Sequence, residues 1–405
     1  MHVFISDTHM TDHPASGSVS DVELTNFAGD IEKWAEHAQI KLVLLGDIID
    51  FLRSPKWKHC WEHCNHSFPW STMNSHFTNF VDNYAETYAL EIAQAVTTRY
   101  SGFSKALKKL TDSGRVKIVY VVGNHDYMLQ LSPKLREAVC TFLSLSDETN
   151  VAKKAFPTIY ADEGASVYAT HGNSYDPTNY HRFDEGYWAF GDAVVLQLIN
   201  RFAPETCAAL GSAETTVIGK HTHELDNIQP ASDVPVYVRW LADEFLTSPD
   251  EKRKVLEVWS RIVTELLELP VFKHGYEDPC IQRDRTALEI SKSTSFSELV
   301  AKYASYFQGQ NYKNHAEDLA ATLGNKYRFI LFGHTHHPML VPLPFSVKGQ
   351  QGYYVNTGCW RRVVSRPSPK ERGPFAAVRV NAFFRIDDAE SGASRYYLSQ
   401  QCYTS

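Results

Sequence analysis

Five short apolar runs, each ending in side chains that bind metals, constrain this chain more than any other feature. Val3-Phe4-Ile5 runs into Ser6-Asp7-Thr8-His9, Leu42-Val43-Leu44-Leu45 into Gly46-Asp47-Ile48-Ile49-Asp50, and Ile118-Val119-Tyr120-Val121-Val122 into Gly123-Asn124-His125-Asp126. The weaker run Ser166-Val167-Tyr168-Ala169 is followed by Thr170-His171-Gly172-Asn173, and Phe329-Ile330-Leu331-Phe332 by Gly333-His334-Thr335-His336. Apolar runs of this length, rich in β-branched and aromatic residues, read as strands buried on both faces. Strands of one sheet present their carboxyl ends along one edge, where ligands bind. The pattern therefore predicts five segments delivering carboxylate, imidazole and amide groups to one edge.

Helical spacing separates these runs. Phe27, Ile31, Trp34, Ala35 and Ala38 share one face, as do Phe80, Tyr84, Tyr88 and Ile92 in a segment from about 77 to 110. Strands alternating with helices point to a layered α/β architecture. Residues 181–326 read differently, as one mostly helical insertion between 1–180 and 327–405. Ser248-Pro249-Asp250-Glu251 is a helix start, with Pro at the first helical position, and Val255, Trp259, Ile262 and Leu266 follow at helical spacing. Segments 184–202 and 296–307 are also expected to be helical. Strand-like sequence returns at 376–386 and 395–398, and 361–372 is a basic, Pro-rich loop.

The chain of 405 residues, 43% hydrophobic, is long enough for one large domain with an insertion. Its formal net charge of −7 gives no global basic field, so a nucleic-acid substrate would need a local positive groove. Seven irregularly spaced cysteines do not suggest a disulfide framework. No apolar run approaches the roughly 20 residues of a membrane span, and the first residues lack a signal-peptide pattern. These features lead to the expectation of a cytoplasmic protein.

The residue types suit a dinuclear centre. Asp and neutral His bind Mn, Fe or Zn, and Asn offers a neutral oxygen. Asp7 and His9 lie two apart in what reads as an extended segment, so both would face the same way, and His334 and His336 repeat the spacing. The glycines before Asp47, Asn124 and His334 permit sharp turns and close backbone approach.

Taken together, Asp7-x-His9, Gly46-Asp47-x-x-Asp50, Gly123-Asn124-His125-Asp126, His171 and Gly333-His334-x-His336 resemble the motifs of the calcineurin-like metallophosphoesterases. The likeness covers roughly residues 1–180 and 325–365, including the Asn356-Thr357-Gly358-Cys359-Trp360 turn, and leaves the middle segment uncovered. It implies an αββα sandwich in which Asp7, His9 and His336 hold one divalent ion, Asn124, His171 and His334 hold the other, and Asp47 bridges both. His125 would then be no ligand but the group that stabilises or protonates the leaving oxygen. Asp126 is open between orienting its neighbours and forming a turn. Asp50 is open between buttressing a histidine and capping a helix.

The resemblance implies a metal-dependent phosphodiesterase or phosphatase, Mn²⁺ being the first expectation and Fe or Zn the alternatives. The intact Gly-Asn-His-Asp favours a nucleic-acid or nucleotide phosphodiester. Phe4-Ile5-Ser6-Asp7 and His171-Gly172 also resemble the pyrophosphatases that cleave UDP-diacylglucosamine, although that branch commonly carries Arg where this chain has His125 and lacks so long an insertion. A protein phosphatase, a non-catalytic scaffold on the same fold, and a subunit working with a partner protein or a second copy complete the alternatives. His181 and Arg182, just past the fourth ligand segment, are candidates to meet the substrate. Arg361 and Arg362 are weaker ones. Gly219-Lys220-His221-Thr222-His223 imitates the last motif and is read as a substrate-side or surface loop. The segment His59-Cys60-Trp61-Glu62-His63-Cys64 offers paired Cys and His without a second half for a zinc site.

Overall fold

The computed structural model describes residues 1–13, 19–58, 84–145, 154–180, 189–229, 233–269, parts of 282–292, 312–367, 374–387 and 395–401. The candidates His181 and Arg182 and the 59–64 segment lie outside the described residues, as does the helix expected at 296–307.

All five apolar runs are strands. The first sheet holds β1 (His2–Ile5), β2 (Ile40–Leu45) and β3 (Val116–Val121), the second β4 (Ile159–Asp162), β5 (Val167–Thr170), β6 (Phe329–Phe332), β7 (Met339–Val347) and β8 (Gln350–Asn356). A short β9 (Val363–Ser365) pairs with β10 (Ala376–Val378), while β11 (Asn381–Asp387) and β12 (Arg395–Gln401) return to the first sheet. The strand orders are β12-β11-β1-β2-β3 and β4-β5-β6-β8-β7. In each sheet three strands run parallel, β1-β2-β3 and β5-β6-β8, and antiparallel strands flank them. The fold is thus mixed α/β, with two five-stranded mixed sheets and helices.

Because side chains alternate along a strand, a strand covered on both sides must be apolar throughout. Phe4, Val43, Leu45 and Val121 join Val167, Ala169, Phe329, Leu331 and Val355 in one buried cluster, so the two sheets face each other. Val3, Ile5, Leu42, Leu44 and Ile118 point the other way, into a cluster with α1 (Asp21–Ala35), α2 (Tyr84–Arg99), α3 (Ser101–Asp112) and α4 (Pro133–Leu143). The single helix expected over 77–110 is in fact two, broken at Tyr100, whose φ/ψ of −107°/34° leaves the helical region. The break has a cause: the Asp21 carboxylate on α1 accepts the backbone N–H of Gly102 and Phe103 at 3.1 and 2.8 Å, capping a new helix start.

Every described element between β5 and β6 is helical: a 3₁₀ turn (Asn173–Tyr175), α5 (Phe190–Val194), a π-helical turn (Val195–Ile199), α6 (Asn200–Leu210), α7 (Val217–Thr222), a second 3₁₀ turn (His223–Asn227), α8 (Val234–Phe245), α9 (Pro249–Leu267) and α10 (Tyr312–Thr322). Ser248 accepts the Glu251 N–H at the start of α9, where the sequence places its cap. The loop expected at Gly219–His223 is helical instead: Thr216 caps α7 through the Gly219 N–H, and His223 opens the 3₁₀ turn that follows. Phe202, Leu241, Val255, Trp259 and Ile262 form a separate core for these helices, whereas Ala316 and Ala320 of α10 pack on the outer face of the second sheet with Ile330 and Tyr354. No helix among the described residues is long and apolar enough to cross a membrane.

Candidate metal centre

The carboxyl ends of β1, β2 and β3 meet those of β5 and β6, so two sheets rather than one supply the converging side chains. Backbone bonds lock these ends together: Asp7 N–H donates to Gly46 O (3.1 Å), His9 N–H to Asp47 O (3.0 Å), and Gly333 N–H to His171 O (2.8 Å). Asp7, His9, Asp47, Asn124 and His171 are buried, and His334 and His336 are half-buried.

Asp7 and His9 do not lie in an extended segment, as their spacing suggested. Their φ values are 51° and 46°, and Asp47, His334 and His336 also adopt positive φ, at 52°, 69° and 62°. The left-handed region costs a non-glycine residue about 1–3 kcal/mol, although Asp and His tolerate it better than most. Five candidate ligands in this conformation mark a site where backbone strain aims side chains inward. Two glycines complete the geometry. Gly46 adopts φ 80°, and a Cβ on Gly333 would lie 2.6 Å from both Asp7 Oδ2 and Ser6 Oγ.

Hydrogen bonds orient three of the four candidate-ligand imidazoles, those of His171, His9 and His334. His171 Nδ1 donates to Leu45 O (2.9 Å), so the neutral ring carries its lone pair on Nε2, 3.1 Å from Asp47 Oδ2 and 3.9 Å from Asp7 Oδ1. Nδ1 of His9 meets Asp50 Oδ2 at 3.0 Å, which turns its Nε2 inward to within 3.1 Å of His336 Nε2. His334 Nε2 meets Asp176 Oδ2 at 3.0 Å, leaving Nδ1 for the centre. Such partners, which set the tautomer and orient the ring, are typical of metal-bound histidines.

Asp7 with His9 and His336, Asp47 with His171 and His334, and His9 with Asp47 and His125 each form a group able to hold a metal ion. Among the described residues, two buried acceptors facing this region, Asp7 Oδ1 and Asn124 Oδ1, have no hydrogen-bond partner. Buried acceptors left unsatisfied cost about 1–3 kcal/mol each, and a cation relieves that cost. The donor set of carboxylate, imidazole and amide oxygen fits a divalent transition metal.

Electrostatics follow from crowding. Burial favours neutral forms, yet Asp47 and Asp7 together outweigh it and raise His171 to about 9. Burial and the Arg361 charge instead push His9 down to about 4. His125 is opposed by burial but raised to about 10 by Asp50 and Asp47. Its Nδ1 contacts Asp50 Oδ1 at 3.0 Å, and its backbone N–H donates to Asp47 Oδ1 at 2.8 Å.

Of the two readings of Asp50 the structure shows the buttress, because residues 51–53 form a bend rather than a helix start. One carboxylate holds His9 and His125 and also accepts the Leu52 and Arg53 N–H groups at 3.1 and 2.9 Å. Asp126 touches neither His125 nor a ligand side chain in its hydrogen bonding. It accepts Gly123 N–H (2.6 Å), Ile48 N–H (3.0 Å) and Tyr120 O–H (2.5 Å), joining the turns after β2 and β3. Burial and the nearby Asp47 raise it to about 7.

No family model matches the chain, and a search of curated proteins returns no match.

The imitation motif is kept apart from the centre. His221 stacks on Phe245, and buried His223 contacts Glu214 at 2.8 Å. Two residues, Asp176 and Asp226, escape the sequence reading, and Arg361, a weaker substrate candidate there, is found in an ion pair. Asp176, which orients His334, was visible only as an acid five positions after His171. Arg361 is buried, not part of an open loop, and binds Asp226 of the insertion while its Nε donates to Asn227 Oδ1 at 3.0 Å. Asp226 lies in a helical turn with no motif around it, so nothing in the sequence signals it.

Proposed function

We propose that the protein hydrolyses phosphate esters with two divalent metal ions and that it is a calcineurin-like metallophosphoesterase with an αββα sandwich. One observation carries this reading: seven Asp, His and Asn side chains from five strand ends converge with their free lone pairs turned toward one another. Asp7, His9 and His336 would hold one ion, Asn124, His171 and His334 the other, and Asp47 both. Two divalent ions, Mn²⁺ first and Fe or Zn next, would supply positive charge for the phosphate and acidity for a water. Packing of two sheets face to face, the first covered on its outer side by α1 to α4 and the second by α10, supports the architecture.

The remaining roles belong to the chain's own side chains. Asp50 aligns His9 and His125 at once. His125 lines the cavity beside the centre together with Asp47, Asn124, His334 and His336. Held at Nδ1 by Asp50, it presents Nε2 as a proton donor to a departing oxygen. A scaffold reading would expect a broken ligand set, and here every position keeps a donor. Purified protein supplied with Mn²⁺ should hydrolyse bis-p-nitrophenyl phosphate or p-nitrophenyl phosphate. The relative rates decide between diester, the expectation for a nucleotide or nucleic-acid substrate, and monoester. Failure on both, or unchanged turnover in Asp47→Ala, rejects the reading. His125→Ala should retain metal while losing about 100-fold or more in turnover.

A further inference from the structure

A cavity of ≈ 290 Å³ opens beside the centre, and its two ends differ in chemistry. One end is the polar set around Asp47, Asn124 and His125. The other is walled by Val194, Val195, Leu198, Val234 and Trp259 from the insertion helices and by Ile228, which bridges to Val364. Small-molecule sites combine an apolar lining with a few convergent polar groups, and this volume is at the lower end of their roughly 300–1,000 Å³ range.

Phosphate alone has no use for the apolar wall. Water in that half finds few partners, because a buried water needs several polar groups. A polynucleotide needs clustered free cations along its path. The described arginines nearest the cavity are instead engaged: Arg361 binds Asp226, and Arg53 Nε lies 3.5 Å from the same carboxylate. The wall is also built with a local irregularity. Val195–Ile199 form a π-helical turn, a conformation enriched at functional sites, and Val195, Leu198 and Ile199 of that turn all face the cavity.

We propose that the substrate is a phosphate ester bearing one compact apolar group, a medium alkyl chain or a ring, that seats against the insertion helices while the phosphate meets the Asp47 end. This rests on the phosphoesterase reading above. The size argues for a single group rather than a long or double chain.

The test uses binding, so that it does not depend on turnover. Titration calorimetry of the full chain with Mn²⁺ compares methyl-, butyl-, octyl- and phenylphosphonate, which cannot be hydrolysed as esters. Affinity should rise about fourfold for each buried methylene until the cavity is filled, with a negative heat-capacity change. Val194 is half-buried on the wall and contributes to none of the polar set. Val194→Asp should abolish the chain-length dependence and leave methylphosphonate unaffected. Val234→Trp, which fills the cavity, should exclude octylphosphonate but not methylphosphonate, and it serves if the first variant does not fold. Equal affinity along the series, or a nucleoside monophosphate binding at least tenfold tighter than octylphosphonate, overturns the proposal. If chain-length dependence is present but p-nitrophenyl phosphate and its diester resist hydrolysis, the apolar site stands and the hydrolase reading falls.

Discussion

Replacing Asp50 with Asn changes one atom and should disable two histidines. The carboxylate is 1% exposed and meets His9 Nδ1 through Oδ2 and His125 Nδ1 through Oδ1, both at 3.0 Å. An amide retains one acceptor oxygen. Placed at Oδ1, it still serves the Leu52 and Arg53 N–H groups and His125. The new NH₂ then faces His9 Nδ1–H, donor against donor. Losing a hydrogen bond to a charged group costs about 1.5–3 kcal/mol. Expressed as binding, this is roughly 10–150-fold, and it agrees with the 10–100-fold typical of lost outer partners of metal ligands. Asp50→Asn should therefore remain folded by circular dichroism, bind Mn²⁺ one to two orders of magnitude more weakly by calorimetry, and lose turnover even at saturating metal because His125 is no longer held by a charge. Wild-type metal affinity in a folded Asp50→Asn would refute the claim that this carboxylate sets the tautomer of His9.

Other perturbations probe different links. Gly333→Ala should destabilise the protein by about 1–3 kcal/mol in denaturant titration, since the added methyl meets Asp7 and Ser6 at 2.6 Å. Unaltered stability would mean the turn has more room than its geometry indicates. Arg361→Gln should cost less than the about 3–5 kcal/mol of a buried charge left wholly unpaired, because Arg53 stays beside Asp226, and adding Asp226→Asn should recover part of that loss. Strict additivity in this double-mutant cycle would exclude their coupling. Asp162, far from the centre, accepts Lys41 Nζ at 2.6 Å and contacts His2 at 3.2 Å. Burial raises its pKa, but the Lys41 and Ala165 hydrogen bonds and the His2 charge outweigh this and hold it below the usual carboxylate value. Its contribution is accordingly present above the unfolded pKa of about 3.9 and lost as the pH falls through the folded value. Asp162→Asn should cost about 0.2–1 kcal/mol at neutral pH and flatten stability below about pH 4, and an unchanged acid limb would contradict the assignment.

The strands were legible because burial on both faces leaves an unbroken apolar signature, seen in Val3 to Ile5 and Phe329 to Phe332. The converging ligands were legible because they follow those strands directly. How Asp7 and His9 converge was not, since spacing alone cannot distinguish an extended segment from one bent by positive φ. The break at Tyr100 was hidden for another reason: its cap, Asp21, comes from a different helix. Arg361 and Asp226 were obscure because a buried ion pair depends on a partner distant in sequence, and a basic run such as Arg361 to Arg372 ordinarily indicates solvent. The chemistry of the insertion resisted reading because an apolar residue lining a cavity and one filling a core look alike in sequence.

The pairing of β1 with β11 has a consequence for how the chain matures. His2 lies opposite Ile386, and Asp7 receives the backbone N–H of Trp360. At roughly 5–20 residues per second, a ribosome needs some tens of seconds to deliver that partner after β1 is made. During this interval β1 lacks one neighbour, and the centre lacks His334 and His336. Contacts so distant along the chain are also slow to close. The candidate ligands of the first sheet thus meet His334 and His336 only after β6 has been made, more than 150 residues behind His171.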